Sequence, residues 1–230
     1  MYYFDSTYLL VIAALVLALI AQGMVRSAYN KYAKVPTQRG MPAAQVASDM
    51  LRQNGNDVVK VQATEGTLTD HYDPRNETLS LSEGVYSSSS VAALGIAAHE
   101  AGHAMQKKEG YGPLALRSLL VPVVNIGSNL SMPIVILGLV MSIPALVTVG
   151  IVLFGLAVVF TLITLPVEFD ASRRAIAMLN AGGYITREEE QGVRKVLRAA
   201  SLTYVAAAIG AILQLARLIL LSRSNSRSRN

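Results

Sequence analysis

Residues 99–103 read His-Glu-Ala-Gly-His, two histidines and an acid at a spacing that can hold and use a metal ion. On an α-helix, residues four apart lie on one face, so His99 and His103 can turn both imidazoles toward the same ion. Zinc at ~2.0–2.1 Å from each nitrogen suits that arrangement. Glu100 projects beside them, where it can hold a water and take its proton, and a bound zinc lowers the pKa of such a water from 15.7 towards about 7. The residues before the motif, Val91 to Ala98, are small and apolar, as a buried metal helix requires. Two histidines and a glutamate on such a helix would be costly to desolvate without an ion to share.

A catalytic zinc normally takes a third protein ligand and leaves a fourth position for water. The chain contains no cysteine, which removes cysteine ligands and also excludes a disulfide framework, an iron–sulfur cluster and a cysteine nucleophile. His71 is the one histidine outside the motif. Glu168 lies in Leu165-Pro-Val-Glu-Phe-Asp-Ala-Ser-Arg-Arg-Ala175, where a long apolar stretch ends on the side at which the motif helix enters it. Asp170 is the rival ligand, and an acid paired with Arg173 or Arg174 beside the membrane is the structural alternative.

The elements that must position these groups are membrane-like. Of 230 residues, 52% are hydrophobic and 15% charged, well below the roughly one quarter charged of soluble domains. This excludes a disordered chain and a plain soluble enzyme. Residues 6–25 carry no charge, and about 20 apolar residues suffice to cross a bilayer, so they read as a first transmembrane helix. A secretory signal is the lesser reading, because the chain begins Met1-Tyr-Tyr-Phe-Asp5 without a basic start. Residues 118–167 are also free of charge and fit a transmembrane hairpin, helices 2 and 3, turning near Ser142 to Pro144. Pro122, Pro133 and Pro166 predict kinks in it. Residues 168–198 form a helical segment carrying the candidate third ligand. Residues 199–221 are an apolar C-terminal helix, either a further span or a helix docked on the catalytic region, and Thr203, Gly210, Gln214 and Arg217 near one stripe favour docking. The Ser/Arg-rich residues 222–230 read as a basic disordered tail.

Lys and Arg asymmetry sets the orientation. Asp5 is the only charge before the first helix, while Arg26, Lys31, Lys34 and Arg39 follow it. The positive-inside rule places the N-terminus outside and residues 26–117 in the cytoplasm. The hairpin returns residues 168–198, with six basic groups, to the same side. The net charge of +5 is a property of the tail, where Arg217, Arg223, Arg227 and Arg229 meet no acid. This suits the anionic headgroups of a lipid bilayer rather than nucleic acid. The expected location is the cell membrane, multi-pass, with the catalytic region cytoplasmic.

Within residues 26–117, a linker through Pro36 and Gly40 precedes a helix over Pro42–Asn54 and a β-rich Val58–Gln62. Asp73-Pro74-Arg75-Asn76 has turn chemistry and Thr78–Ser82 alternates, which predicts a hairpin. Ser87 to Ser90 offer N-caps for a helix running through Lys107 to Gly110. A peptide could add to Thr78, Leu79, Ser80, Leu81 and Ser82 as an edge strand. His71 and Tyr204 are candidates to stabilise an oxyanion, each with an ordinary structural reading beside it.

The chain resembles the YugP-type neutral zinc metallopeptidases, relatives of the membrane gluzincins of the heat-shock-protease and CAAX-prenyl-endopeptidase type. The resemblance covers the first span, Asp70–Asn76, Leu79–Tyr86, the His99–His103 motif, the apolar hairpin and Glu168. It implies an α-helical integral membrane protein with a small zincin-like α/β catalytic region, mostly helix with a short antiparallel sheet. It also implies endopeptidase activity on a peptide or protein substrate, one zinc held by His99, His103 and Glu168, and Glu100 as base. In the broader clan the third ligand stands in an E-x-x-A-D pattern. Here Glu168-Phe-Asp-Ala-Ser172 ends in serine, so the carboxylate that orients a zinc imidazole is lost or supplied elsewhere, with Asp170 the candidate. A non-proteolytic zinc-binding membrane scaffold or regulator is the alternative function, and a membrane-protein partner or homo-oligomer is compatible with the sequence.

Overall fold

Charge partitions the chain in the structure much as it does along the sequence. The computed structural model describes residues 7–227, which are mostly helical. The elements are α1 (Tyr8–Tyr32), α2 (Ala43–Gln53), β1 (Lys60–Thr64), β2 (His71–Asp73), β3 (Thr78–Ser82), α3 (Glu83–Tyr86), α4 (Val91–Lys108), α5 (Gly112–Val140), α6 (Pro144–Ala181) and α7 (Arg187–Arg227). They divide into two units. One takes the chain up to Gln22, Leu116–Leu165 and the chain from Thr203; the other takes Gly23–Ala115 and Pro166–Leu202.

The first unit is built from apolar helices. Among the described residues, four helices, α1, α5, α6 and α7, are long and apolar enough to cross a membrane. Leu9, Leu15, Leu19, Leu119, Ile126 and Val140 stand exposed on them, as lipid-facing side chains do. α5 and α6 form an antiparallel hairpin around Met141–Ile143, where Ser142 takes a left-handed φ of 59°. Glycine lets the two backbones close: a Cβ on Gly138 would lie 2.7 Å from the Val147 nitrogen, and one on Gly150 would lie 2.8 Å from the Ser131 carbonyl. Pro122, Pro133 and Pro166 all lie inside continuous helices. α7 runs antiparallel to α1. Gly210 faces Ala14, and further along α7 Arg217 Nε donates to Thr7 Oγ1 at 3.4 Å while its guanidinium stacks 4.5 Å over the Tyr8 ring.

The second unit packs α2 and α4 with a small sheet, its core including Val46, Met50, Leu79, Leu81, Leu94, Ala101, Leu179 and Val193. α2 is amphipathic and buries Val46, Met50 and Leu51. Ser90 caps α4 by accepting from the Ala93 amide at 3.2 Å, and Gly110, at φ 65°, follows its end. The sheet has the order β1-β3-β2, with β1 parallel and β2 antiparallel to β3.

Several expectations change here. The β2–β3 hairpin forms, but the sheet is mixed rather than antiparallel because β1 pairs in parallel along all of β3. Thr78–Ser82 is therefore the central strand, not an edge, and its main chain is paired with β1 throughout and with β2 over Thr78–Ser80. Its two serines are buried: Ser80 accepts from Gln62 Nε2 at 3.2 Å, and Ser82 donates through both its amide and its hydroxyl to the Asp70 carboxylate. α1 continues to Tyr32, so the irregular linker begins only after it; charge ended the apolar run without ending the helix. α7 likewise runs through Arg227, across Ser222–Arg227 where disorder was expected. Residues 228–230, Asp5 and the start of the first apolar run at Ser6 lie outside the described residues.

Candidate metal centre

Every residue of the centre comes from α4 or α6 within the second unit. α4 sets His99 above His103, with ring centroids 4.8 Å apart and planes at 81°. α6 brings Glu168, only 2% exposed, against both rings. Its Oε2 lies 3.2 Å from His99 Nε2 and 3.6 Å from His103 Nε2. One ligand atom from each of the three residues falls within 4.8 Å of the others.

Glycine at position 102 allows this approach. A Cβ there would stand 2.5 Å from the Ala171 carbonyl oxygen, so α4 and α6 meet backbone to backbone one residue before His103.

Hydrogen bonds behind the rings turn Nε2 toward Glu168. Ser172 Oγ sits 3.1 Å from His99 Nδ1. Gln106 Oε1 sits 3.0 Å from His103 Nδ1, and its Nε2 donates to the Val167 carbonyl at 2.8 Å and to Asp170 Oδ2 at 3.0 Å. Asp170 also pairs with Arg173 and Arg174, and Arg174 reaches Glu109 Oε2. The two acids of this segment thus take different work. Asp170 binds the arginines, and Glu168 faces the imidazoles. Asp170 is absent from the ligand group, and it orients no imidazole directly. Serine at 172, one residue type short of the pattern, itself contacts His99.

The local fields are uneven. Burial alone would lower the His103 pKa, but the Glu168 and Glu100 carboxylates outweigh it and the net direction is upward. Burial raises the Asp70 carboxyl against the bonds it accepts from Ser82, and the charge of Glu100 adds to the rise. Glu100 is half-buried on α4 and close enough to act electrostatically on both. Two imidazole nitrogens and one carboxylate, converging and largely buried, make a group that could hold one metal ion.

The remaining candidates are not members of this group. His71 opens β2, exposed, with Nδ1 2.8 Å from the Thr69 carbonyl. Tyr204 lies on α7 in the other unit. Thr78–Ser82 is the central strand already described.

Residues 7–223 match the family described as "Putative neutral zinc metallopeptidase". The chain belongs to this family. It is also 46% identical over 212 residues to the "Putative membrane protease YugP" of Bacillus subtilis (strain 168), covering 92% of this chain and 94% of that protein. No solved structure matches it. Zinc is accordingly the metal of the family, and His99, His103 and Glu168 form a group able to bind one ion.

Family membership leaves three residues that the sequence reading gave no such part: Gly102, Gln106 and Ser172. Gln106 is fully buried three residues past His103, and its amide needs partners that the sequence of α4 alone does not name.

Proposed function

We propose that the chain is a membrane-embedded zinc endopeptidase, with His99, His103 and Glu168 as ligands and Glu100 as general base. The observation that carries this reading is the placement of the Glu168 carboxylate against both motif imidazoles, 69 and 65 residues away in sequence. Bound zinc supplies a Lewis acid for the scissile carbonyl and an acidified water. Glu100 takes the proton of the attacking water and returns it to the leaving amine. An extended peptide would find open main chain on β2 rather than β3. β2 is an edge strand against which α4 packs, and Asp70, just before it, lies within the field of Glu100.

The decisive experiment is Glu100→Gln in purified, zinc-loaded protein, assayed on unfolded and membrane polypeptides. Zinc content should stay at the wild-type level while cleavage falls about 10²–10⁴-fold, the contribution of a positioned general base. Equal cleavage by the two proteins would remove Glu100 as base. A zinc-loaded wild type that cleaves none of the panel would favour the non-proteolytic scaffold.

We also infer a four-span topology with the second unit cytoplasmic and both termini outside. α7 descends along α1 until Arg217 meets Thr7 and Tyr8, which supports a fourth span over the docked helix favoured from its polar stripe. Because the chain has no cysteine, single cysteines report sidedness cleanly. In intact cells an impermeant maleimide should label Ser222→Cys, and Ser87→Cys only after permeabilisation. The reverse pattern would invert the topology.

A further inference from the structure

Gln106 is fully buried, and each of its polar atoms has a distinct partner. Val167 O and the Asp170 carboxylate can only accept, so the amide nitrogen of Gln106 must face them. Its oxygen is thereby fixed toward His103 Nδ1, and an oxygen at 3.0 Å requires that nitrogen to donate. The proton of the neutral imidazole is then held on Nδ1, and the Nε2 lone pair is left facing Glu168. Asp170 is itself anchored by Arg173 and Arg174, and Arg174 is tied to Glu109 and lies 5.8 Å over the Tyr111 ring. The orientation is thus imposed by a chain of contacts running from the arginines through Asp170 to the amide.

We propose that Gln106, aligned by Asp170, is a positioning residue that locks His103 in the Nδ1–H tautomer and presents Nε2 to the metal. The proposal rests on the zinc-centre reading above. Packing alone does not account for the choice of residue, since methionine fills a similar volume at that point without burying an amide. Nor does helix structure, because the Gln106 side chain reaches off its own helix to α6.

The test measures zinc affinity by competition with a chelator in full-length protein, alongside the melting of the metal-free form. Gln106→Met keeps the volume and removes the acceptor, and should weaken zinc binding 10–100-fold, the usual cost of losing an outer partner. Gln106→Glu keeps the acceptor for Nδ1–H but sets a carboxylate against Asp170, so it too should lose affinity. Pairing it with Asp170→Asn restores a donor opposite the new acid, and this double variant should recover most of the loss. A packing role predicts no such recovery. Wild-type affinity in Gln106→Met, or a double variant no better than Gln106→Glu alone, would overturn the proposal. If the variants do not fold, nitrogen-15 NMR of the zinc-loaded wild type decides. His103 should show a slowly exchanging proton on Nδ1, and exchange there as fast as at exposed His71 would overturn the proposal. Zinc binding that ignores Gln106 sinks this relay alone, whereas a wild type that binds no zinc sinks the metal centre as well.

Discussion

Glu168→Ala should purify without zinc and show no cleavage above background. The argument is one of ligand count. α4 by itself offers two imidazoles one turn apart, a pair open to solvent exchange on the side that Glu168 now closes. With the carboxylate gone, the site has two neutral donors and no charged ligand to balance a divalent ion. The loss should exceed the 10–100-fold that an outer hydrogen-bond partner contributes. Glu168→Asp separates charge from reach: it keeps the acid but shortens it by one methylene, and its zinc affinity should fall between wild type and alanine. Metal analysis of the three proteins, purified in parallel, checks the series. Near-stoichiometric zinc with intact activity in Glu168→Ala would transfer the third-ligand role to another group.

What could be read in advance follows the range of the interactions. The His99–His103 spacing and the apolar stretch are local patterns; the structure has the first on one helix, α4, and two helices, α5 and α6, over the second. Glu168 was reachable because the hairpin returns the chain to where the motif helix enters it, a topological constraint rather than a contact. The sheet was not reachable in the same way. β1 joins β3 in parallel across an intervening strand, and no turn signal reports such a pairing. The alternation in Thr78–Ser82 pointed to a hairpin strand with an open edge, yet the strand is central, and Ser80 and Ser82 are buried on hydrogen bonds to Gln62 and Asp70. Helix ends were misjudged wherever charge was taken as a stop: α1 carries Arg26 and Lys31 within its last turns, residues that favour helix as readily as leucine does. The ring of contacts behind the imidazoles stayed hidden for a different reason. Ser172, Gln106 and Asp170 acquire meaning only once α6 lies on α4, and nothing in either helix alone announces the pairing.

That pairing is where a single methyl group should do the most damage. Gly102→Ala is expected to disable the centre without touching a ligand. The added Cβ would begin 2.5 Å from the Ala171 carbonyl oxygen and 3.1 Å from its carbon. These are backbone atoms of a helix, so no side chain can swing away, and relief requires α6 to move off α4. Overpacking of this kind costs about 1–3 kcal/mol where neighbours adjust, and a rigid helix backbone adjusts least. The displacement falls one residue from His103 and three from Glu168, so Nε2 and Oε2, now 3.6 Å apart, should separate and the donor set open. Alanine favours helix over glycine by roughly 1 kcal/mol, which would stabilise α4 if the contact were loose. The two effects therefore oppose each other, and the sign of the result is diagnostic. Loss of zinc together with a lower melting temperature in the metal-free protein means that backbone contact sets the geometry of the site. Retained zinc with a raised melting temperature would mean that α4 and α6 stand further apart than described, and that the His99–His103–Glu168 group is assembled by something other than their close approach.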